Sequence, residues 1–222
     1  MNKKTIAMTA LLLAVSVPTV SMAQLSANIG WSSDYIFRGV FQEESSPSAG
    51  LDYEDGSGFY VGTWGADVGD GLETDVYFGY GGETGDFSWG IGYTGYFYTD
   101  DFDDTYTEVN LNGGYGNFSV DVAIGEWDGF GSPLDYTFTS LSYQMENGPY
   151  FLYGSWGDDF DGDYFEVGYS FDFQGVDLSI ALIASDDADD PGSSIALSQD
   201  SPLSEFALVF GISKGIDIGG SD

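Results

Sequence analysis

Hydrophobic and polar residues alternate with a period of two along most of the chain. In the segment 87–94, Phe, Trp, Ile and Tyr occupy the odd positions, and Ser, Gly and Thr occupy the even positions. The same alternation recurs in the segments 108–112, 118–125, 165–173, 176–182 and 206–212. A period of two places alternate side chains on opposite faces of a strand. The pattern therefore predicts a chain of β-strands, each with one apolar face.

Short turns and longer loops separate the predicted strands and alternate along the chain. The short turns are rich in Gly, Asn, Asp and Ser and lie at 55–58, 83–86, 116–117, 146–148 and 174–175. The longer loops are more acidic and lie at 42–48, 66–71, 99–104, 127–133, 157–163 and 185–202. These connections join about twelve antiparallel strands and bring both ends to one side, as in bacterial outer-membrane barrels. The alternation is less regular in 134–145 and 149–156, which predicts a bulge or a misplaced strand boundary there.

Strand length and the composition of the two faces favour a membrane barrel over a soluble β-sandwich. The predicted strands contain roughly 9–11 residues, the length of a tilted membrane-spanning strand. Their apolar faces carry Phe, Tyr and Trp near the strand ends, as the aromatic girdles of barrels do. We therefore predict an all-β fold, a transmembrane antiparallel up-and-down β-barrel. A soluble acidic β-protein of the periplasm is the alternative.

The first 23 residues have the pattern of a secretory signal peptide. Lys3 and Lys4 precede an apolar stretch at 6–17, and Ser21 and Ala23 supply the small residues that a signal peptidase requires. The apolar stretch is too short for a membrane anchor. We predict cleavage after Ala23, which divides the chain into a signal peptide at 1–23 and a barrel at 24–222.

The charge balance after residue 23 is strongly acidic. All 37 acidic residues lie there, whereas only two of the four basic residues, Arg38 and Lys214, do so. Nucleic acid is excluded as a partner, because phosphate binding depends on Lys and Arg. The aromatic content of 17% is too high for a disordered acidic chain. Adaptation to a saline habitat is an alternative reason for the acidity.

Histidine and cysteine are both absent from the sequence. Their absence excludes catalysis by a His base or a Cys nucleophile, and it excludes the usual zinc, copper and haem sites. Carboxylates are too abundant for any one pair to indicate paired-carboxylate catalysis. We therefore predict neither an enzyme nor a cofactor.

Two acidic loops are weak candidates for binding divalent cations. Carboxylate oxygens are the ligands that Ca²⁺ and Mg²⁺ prefer. The candidate ligands are Asp100, Asp101, Asp103, Asp104, Asp158, Asp159, Asp161 and Asp163. Their spacing matches no complete calcium loop, so solvation of the carboxylates is the favoured interpretation.

The face opposite the apolar one carries charged residues of the predicted strands. If the apolar face meets lipid, this opposite face lines the lumen. The predicted pore-lining residues are Asp34, Arg38, Glu73, Asp75, Glu108, Asp121, Glu166, Asp172, Asp177 and Glu205. Carboxylates in a low-dielectric wall attract cations and repel anions. Arg38 is expected to bridge several of these acids, and narrowing of the pore is its alternative role.

Three segments carry a resemblance to a known family. They are Ser33-Asp34-Tyr35-Ile36-Phe37-Arg38-Gly39, Gly58-Phe59-Tyr60-Val61-Gly62-Thr63-Trp64 and Asp75-Val76-Tyr77-Phe78-Gly79-Tyr80. In their order and spacing they resemble the TorF family of porin-like proteins, also known as the Gcw_chp family of bacterial outer-membrane proteins. The resemblance implies a small barrel with a passive-channel role and supplies no catalytic residues. Such barrels usually end on an aromatic residue that the insertion machinery recognises, whereas this sequence continues past Phe210 to Asp222.

These observations predict a porin-like channel of the bacterial outer membrane for passive diffusion of small solutes. The acidic lumen predicts a preference for cations or neutral molecules. The expected partners are outer-membrane lipids, lipopolysaccharide and the solutes themselves. A non-conducting barrel with a structural or surface-interaction role is the second hypothesis.

Overall fold

Every strand pairs with the strand that follows it in the chain, and the last strand pairs with the first. The computed structural model describes residues 24–185 and 206–219. The strands are β1 (Gln24–Phe37), β2 (Val40–Glu54), β3 (Phe59–Asp67), β4 (Leu72–Thr84), β5 (Phe87–Tyr98), β6 (Tyr106–Tyr115), β7 (Phe118–Trp127), β8 (Leu134–Gln144), β9 (Tyr150–Asp158), β10 (Asp163–Asp172), β11 (Asp177–Ser185) and β12 (Ala207–Asp217). All pairings are antiparallel, and β12 closes the barrel against β1. The predicted up-and-down barrel is therefore confirmed.

The five short turns lie where the sequence predicts them, all at one end of the barrel. The turn at 55–58 is held by Asp55, whose Oδ1 accepts hydrogen bonds from the Ser57 hydroxyl at 2.5 Å and the Ser57 N–H at 2.8 Å. These bonds lower the pKa of the Asp55 carboxyl below its usual value. Gly116, in the two-residue turn between β6 and β7, has a φ of +60°, a conformation that costs glycine little.

The prediction of an outer loop at 42–48 is wrong. Residues 42–48 belong to strand β2, and the connection between β1 and β2 is a tight turn at Arg38 and Gly39. The predicted loops near 66–71, 99–104, 127–133 and 157–163 lie between strands as expected, with a short 3₁₀ turn at Gly129–Gly131. The predicted loop 185–202 lies outside the described residues, apart from Ser185 at the end of β11.

The bulge predicted as one alternative in 134–145 and 149–156 is absent, whereas the boundary of the second segment is misplaced, since β9 ends at Asp158. The pairing of β8 with β9 runs from Tyr136 opposite Asp158 to Gln144 opposite Tyr150 without a break in register. The register shift lies instead between Tyr35 and Ile36, in the pairing of β1 with β2. The alternation of polar and apolar residues in β8 and β9 is obscured because both faces of these strands carry large side chains.

The outward face of the barrel is apolar. Large side chains such as Ile91, Phe78 and Leu208 leave 48–53% of their surface exposed, as expected for residues that meet lipid. Phe87, Phe118 and Phe173 flank the short turns and supply an aromatic girdle at that end. No helix in 24–185 or 206–219 is both long and apolar enough to span a membrane.

Candidate functional site

The inward face of the barrel is buried and rich in carboxylates. Because side chains alternate along each strand, the buried residues occupy the positions between the outward apolar ones. Glu73, Asp75 and Glu108 are only 1–4% exposed, and Glu166 is 7% exposed. Lys214 lies in the same alternating set as the outward-facing Phe210 and Ile212 of β12. Arg38 is therefore the cation that stands against these inward carboxylates.

The end of the β1–β2 hairpin leaves the barrel wall. The pairing of β1 with β12 stops at Ser32 opposite Gly211, and the pairing of β2 with β3 stops at Ser48 opposite Ala66. Between these points, residues 33–47 pair only within the β1–β2 hairpin. We call residues 33–47 the hairpin tip. Where the tip departs, the Ser33 Oγ accepts a hydrogen bond from the Phe210 N–H at 2.9 Å.

The hairpin tip crosses the lumen and contacts opposite walls. On one side, the Tyr35 ring packs edge-on against Trp64 of β3 at 5.8 Å between centroids, and the Tyr35 hydroxyl donates to Glu73 of β4 at 2.5 Å. On the other side, Ile36 packs against a buried cluster of residues from β7 to β12. A turn that stood in solvent above the barrel would make neither contact.

Arg38, at the turn of the hairpin, forms a buried ion pair with Glu108. The Arg38 Nη1 and Nη2 atoms donate to the two Glu108 carboxylate oxygens at 2.8 and 2.7 Å. Side-chain exposure is 9% for Arg38 and 0% for Glu108. The hydroxyls of Tyr96 and Tyr136 and the Asn110 amide also donate to Glu108. Such a bidentate, fully hydrogen-bonded pair is the strong form of a buried ion pair.

Aromatic rings hold the guanidinium of Arg38 in place. Its Cζ lies 4.6 Å from the ring centroid of Phe138 and 5.6 Å from that of Trp156, distances at which cation–π attraction operates. The Trp156 indole N–H donates to the Arg38 carbonyl oxygen at 3.0 Å. The side chain and the backbone of Arg38 are thus both fixed to the far wall.

Among the described residues, Asp75 has neither a tyrosine hydroxyl, as Glu73 has, nor an ion pair with Arg38, as Glu108 has. Glu73 accepts the Tyr35 hydroxyl, and Glu108 holds Arg38, whereas the buried Asp75 Oδ1 accepts no hydrogen bond from the described part of the chain. Its electrostatic neighbours are Glu73, Glu108 and Arg38. Arg38 pairs with Glu108 alone among the described carboxylates, so the centre of the lumen holds more carboxyl groups than cations.

The remaining predicted pore-lining residues are spread along the barrel. Glu166 accepts the Tyr150 hydroxyl, and Asp121 lies 3.5 Å from the Ser140 hydroxyl. Asp34 belongs to the hairpin tip and accepts the Ser33 hydroxyl. Asp172 and Asp177 are cross-strand partners at a short turn, away from the central cluster. Glu205 lies outside the described residues.

The sequence prediction missed the aromatic half of the lumen. The inward face was expected to carry charged and polar residues, but it also carries large buried side chains: Tyr77, Tyr96, Tyr136, Phe138, Tyr150, Leu152 and Tyr164. In the first part of β8 the polarity is reversed, because Tyr136 and Phe138 point inward while Thr139 is exposed. The irregular alternation of 134–145 was the available signal for this reversal.

The carboxylates of the acidic loops bond to their own loops and to neighbouring strands and loops. Asp103 accepts the Trp127 indole N–H and the Tyr106 hydroxyl, and Asp104 accepts the Phe130 N–H. Asp158 accepts the Thr137 hydroxyl, and Asp159 accepts the Asp135 N–H. Asp161 accepts the Gly162 N–H, and Asp100 accepts the Thr99 hydroxyl. Asp101 lies in the same loop as Asp100, and Asp163 begins β10. Within the described ranges, no three acidic side chains gather in a group that could hold a metal ion.

Solved outer-membrane structures share the fold at very low sequence identity. The chain is similar to KdgM porin, with a TM-score of 0.55, 9% identity, and 87% of this chain and 99% of that chain covered. A KdgM porin in complex with disordered oligogalacturonate gives a TM-score of 0.55 at 10% identity, with 85% and 98% covered. A protein from work on the in-meso crystallization of membrane proteins gives 0.60 at 10% identity, with 89% and 85% covered.

The sequence comparison supplies the family. No curated protein matches the chain. The family described as bacterial protein of unknown function (Gcw_chp) matches residues 17–184, which is more than half of the chain and includes the hairpin tip and strands β1 to β10. The chain belongs to the Gcw_chp family and has the porin-like barrel that the resemblance predicts.

Proposed function

We propose that the chain is an outer-membrane channel for passive diffusion of small solutes, with a preference for cations. The observation that carries this proposal is the excess of buried carboxylates in the lumen, where Arg38 offsets Glu108 but leaves Glu73 and Asp75. The apolar outward face and the porin-like fold support a position in the outer membrane, among its lipids and lipopolysaccharide.

The carboxylates of the lumen determine which solutes the proposed channel would admit, according to the charge of the solute. Carboxylates in a low-dielectric wall attract cations, admit neutral molecules and repel anions. An anionic sugar such as the oligogalacturonate bound to KdgM porin would therefore be excluded from this lumen. The proposed solutes are small cations and small neutral molecules.

A barrel that does not conduct is the second candidate function. The observation that favours it is the hairpin tip, which fills the middle of the lumen with Tyr35, Ile36 and Phe37. In that case the barrel would serve a structural or surface-interaction role.

The reversal potential across a planar bilayer tests the proposed selectivity. With purified protein and a KCl gradient, we expect discrete openings and a potential of the sign that indicates K⁺ over Cl⁻. The variant Glu73→Gln/Asp75→Asn should move the potential toward zero, because it removes the carboxylates that Arg38 leaves unpaired. Asp101→Asn, in an exposed outer loop, is the matched control and should leave the potential unchanged.

Two results would contradict the proposed cation-selective channel, and they differ in what they refute. Membranes that stay silent with the wild-type protein and with the hairpin-shortened form described below would establish the non-conducting barrel. Selectivity for Cl⁻ would refute the role of the carboxylates while leaving a channel.

Export through the signal peptide at 1–23 is part of the same proposal. These residues lie outside the described structure, and the prediction rests on their sequence. We expect the intact mass of the protein purified from outer membranes to correspond to a chain that begins at Gln24. A mass that includes residues 1–23 would contradict cleavage after Ala23.

A further inference from the structure

The hairpin tip separates two cavities in the lumen. The cavity of about 90 Å³ on the side of the short turns is lined by Asp34, Tyr35 and Ile36 of the tip together with wall residues such as Glu166 and Ser179. The cavity of about 40 Å³ on the side of the longer loops is lined by Phe37, Val40 and Gln42 of the tip together with Tyr96, Tyr98, Tyr136 and Phe160. The two cavities share no lining residue, so the tip lies between them.

The end of the tip is attached to the far wall of the barrel. Residues 33–47 have no ladder partner on β12 or β3, since the pairing with these strands stops at Ser32 and Ser48. At the turn, Arg38 is held by two hydrogen bonds to Glu108 and by the Trp156 indole. The position of the tip therefore depends on contacts that Arg38 makes across the lumen.

We propose that the hairpin tip is the restriction that sets the size of solute the channel admits, and that Arg38 is the residue that positions it. This inference rests on the proposed channel function and names the part of the lumen that limits it. Arg38 acts here as a positioning residue: its guanidinium is buried against Glu108 and the aromatic rings rather than offered to solutes. Without the Arg38 contacts, the turn of the hairpin loses its hydrogen bonds to the far wall.

A shortened hairpin tests the restriction. Replacing residues 35–43 by Asn-Gly joins the cross-strand partners Asp34 and Glu44 through a two-residue turn of a favoured type, and it leaves the barrel wall intact. In planar bilayers this variant should show a severalfold rise in single-channel conductance. In liposome swelling with glycerol, glucose and raffinose, it should admit sugars that the wild-type protein excludes.

A cysteine pair tests the position of the tip. The sequence contains no cysteine, so Gly39→Cys/Tyr164→Cys creates a single pair. A Cβ built on Gly39 lies 2.8 Å from the Tyr164 Cβ, so a shift of about 1 Å brings the two to disulfide distance. The Gly39→Cys single variant is the control for the backbone strain of a side chain at a φ of +87°. We expect the disulfide to form in outer membranes and the cross-linked protein to keep wild-type conductance.

The same cross-link separates positioning by Arg38 from general stability. In the background Arg38→Met/Glu108→Gln, which removes both charges of the ion pair, the yield of the disulfide should fall and conductance should rise. Arg38→Lys, which keeps a charge but not the bidentate geometry, should restore both in part. An unchanged yield in the double variant would show that Arg38 does not position the tip.

The outcomes also distinguish this inference from the proposed function. Wild-type conductance in the shortened variant would place the restriction elsewhere and overturn the inference while the channel stands. Silence of both proteins would overturn the channel itself. If the shortened variant does not insert, the cysteine pair decides: absence of the disulfide in the inserted double-cysteine protein would overturn the inferred position of the tip.

Discussion

Replacing Glu108 by Gln should destabilise the barrel by about 3–5 kcal/mol, because it leaves the buried Arg38 guanidinium without a counter-charge. The side chain of Glu108 is fully buried, and it accepts hydrogen bonds from Arg38, Tyr96, Tyr136 and Asn110. The amide of Gln can accept some of these bonds, but it cannot offset the positive charge. The free energy of unfolding in urea, measured in lipid vesicles through tryptophan fluorescence, gives the effect directly.

Two further variants serve as comparisons for the unfolding free energy of Glu108→Gln. Glu126→Gln changes an exposed acid on the neighbouring strand β7 and should alter the unfolding free energy by less than about 0.5 kcal/mol. Arg38→Met/Glu108→Gln should recover part of the loss, since it removes both charges of the pair and leaves no guanidinium without its partner. If Glu108→Gln were as stable as Glu126→Gln, the ion pair would contribute nothing, and the tip would be held by its apolar contacts.

Replacing Ile91 by Arg should destabilise the membrane-inserted barrel by about 2–4 kcal/mol, because the charge would face the hydrocarbon of the bilayer. Ile91 lies in the middle of β5 on the outward face and is 48% exposed. In a soluble β-protein the same exposed position would accept Arg without loss. The unfolding free energy in vesicles therefore separates the membrane barrel from the soluble alternative.

The matched control places the same charge on the inward face. Asn112 on β6 is the cross-strand partner of Asp121 on β7, so Arg at position 112 would lie beside a carboxylate in the lumen. We expect Asn112→Arg to cost less than about 1 kcal/mol. Equal losses for Ile91→Arg and Asn112→Arg would contradict the assignment of the two faces.

The sequence alone was sufficient to predict the strands of the barrel wall, their outward faces and the short turns between them. Alternation in segments such as 87–94 and 165–173 located strands and their outward faces, and Gly, Asn and Asp located all five short turns. These features are local, because a turn depends on the φ angles of two or three residues and an outward face depends only on contact with lipid. The acid excess and the lack of His and Cys likewise follow from composition alone.

The errors fall where the chain contacts distant parts of itself. The segment 42–48 is polar enough for a loop, yet it belongs to strand β2, and most of it lies in the hairpin tip, which pairs only within the β1–β2 hairpin and folds inward. The segment 134–145 lacks clean alternation because Tyr136 and Phe138 point inward to receive that tip. In both places a residue's environment is set by the far side of the barrel, which a period of two does not describe.

What the sequence determined by itself is a closed antiparallel wall with an apolar outside and an acidic inside, because strand periodicity, turn chemistry and net charge are local or additive properties. What only the tertiary structure decided is the content of the lumen. Arg38 meets Glu108 across 70 residues of chain, and that contact leaves Asp75 unpaired and places the hairpin tip between two cavities. Which of the many carboxylates pairs with Arg38 depends on which strands lie opposite the hairpin tip once the barrel has closed. No single segment of the sequence determines that geometry.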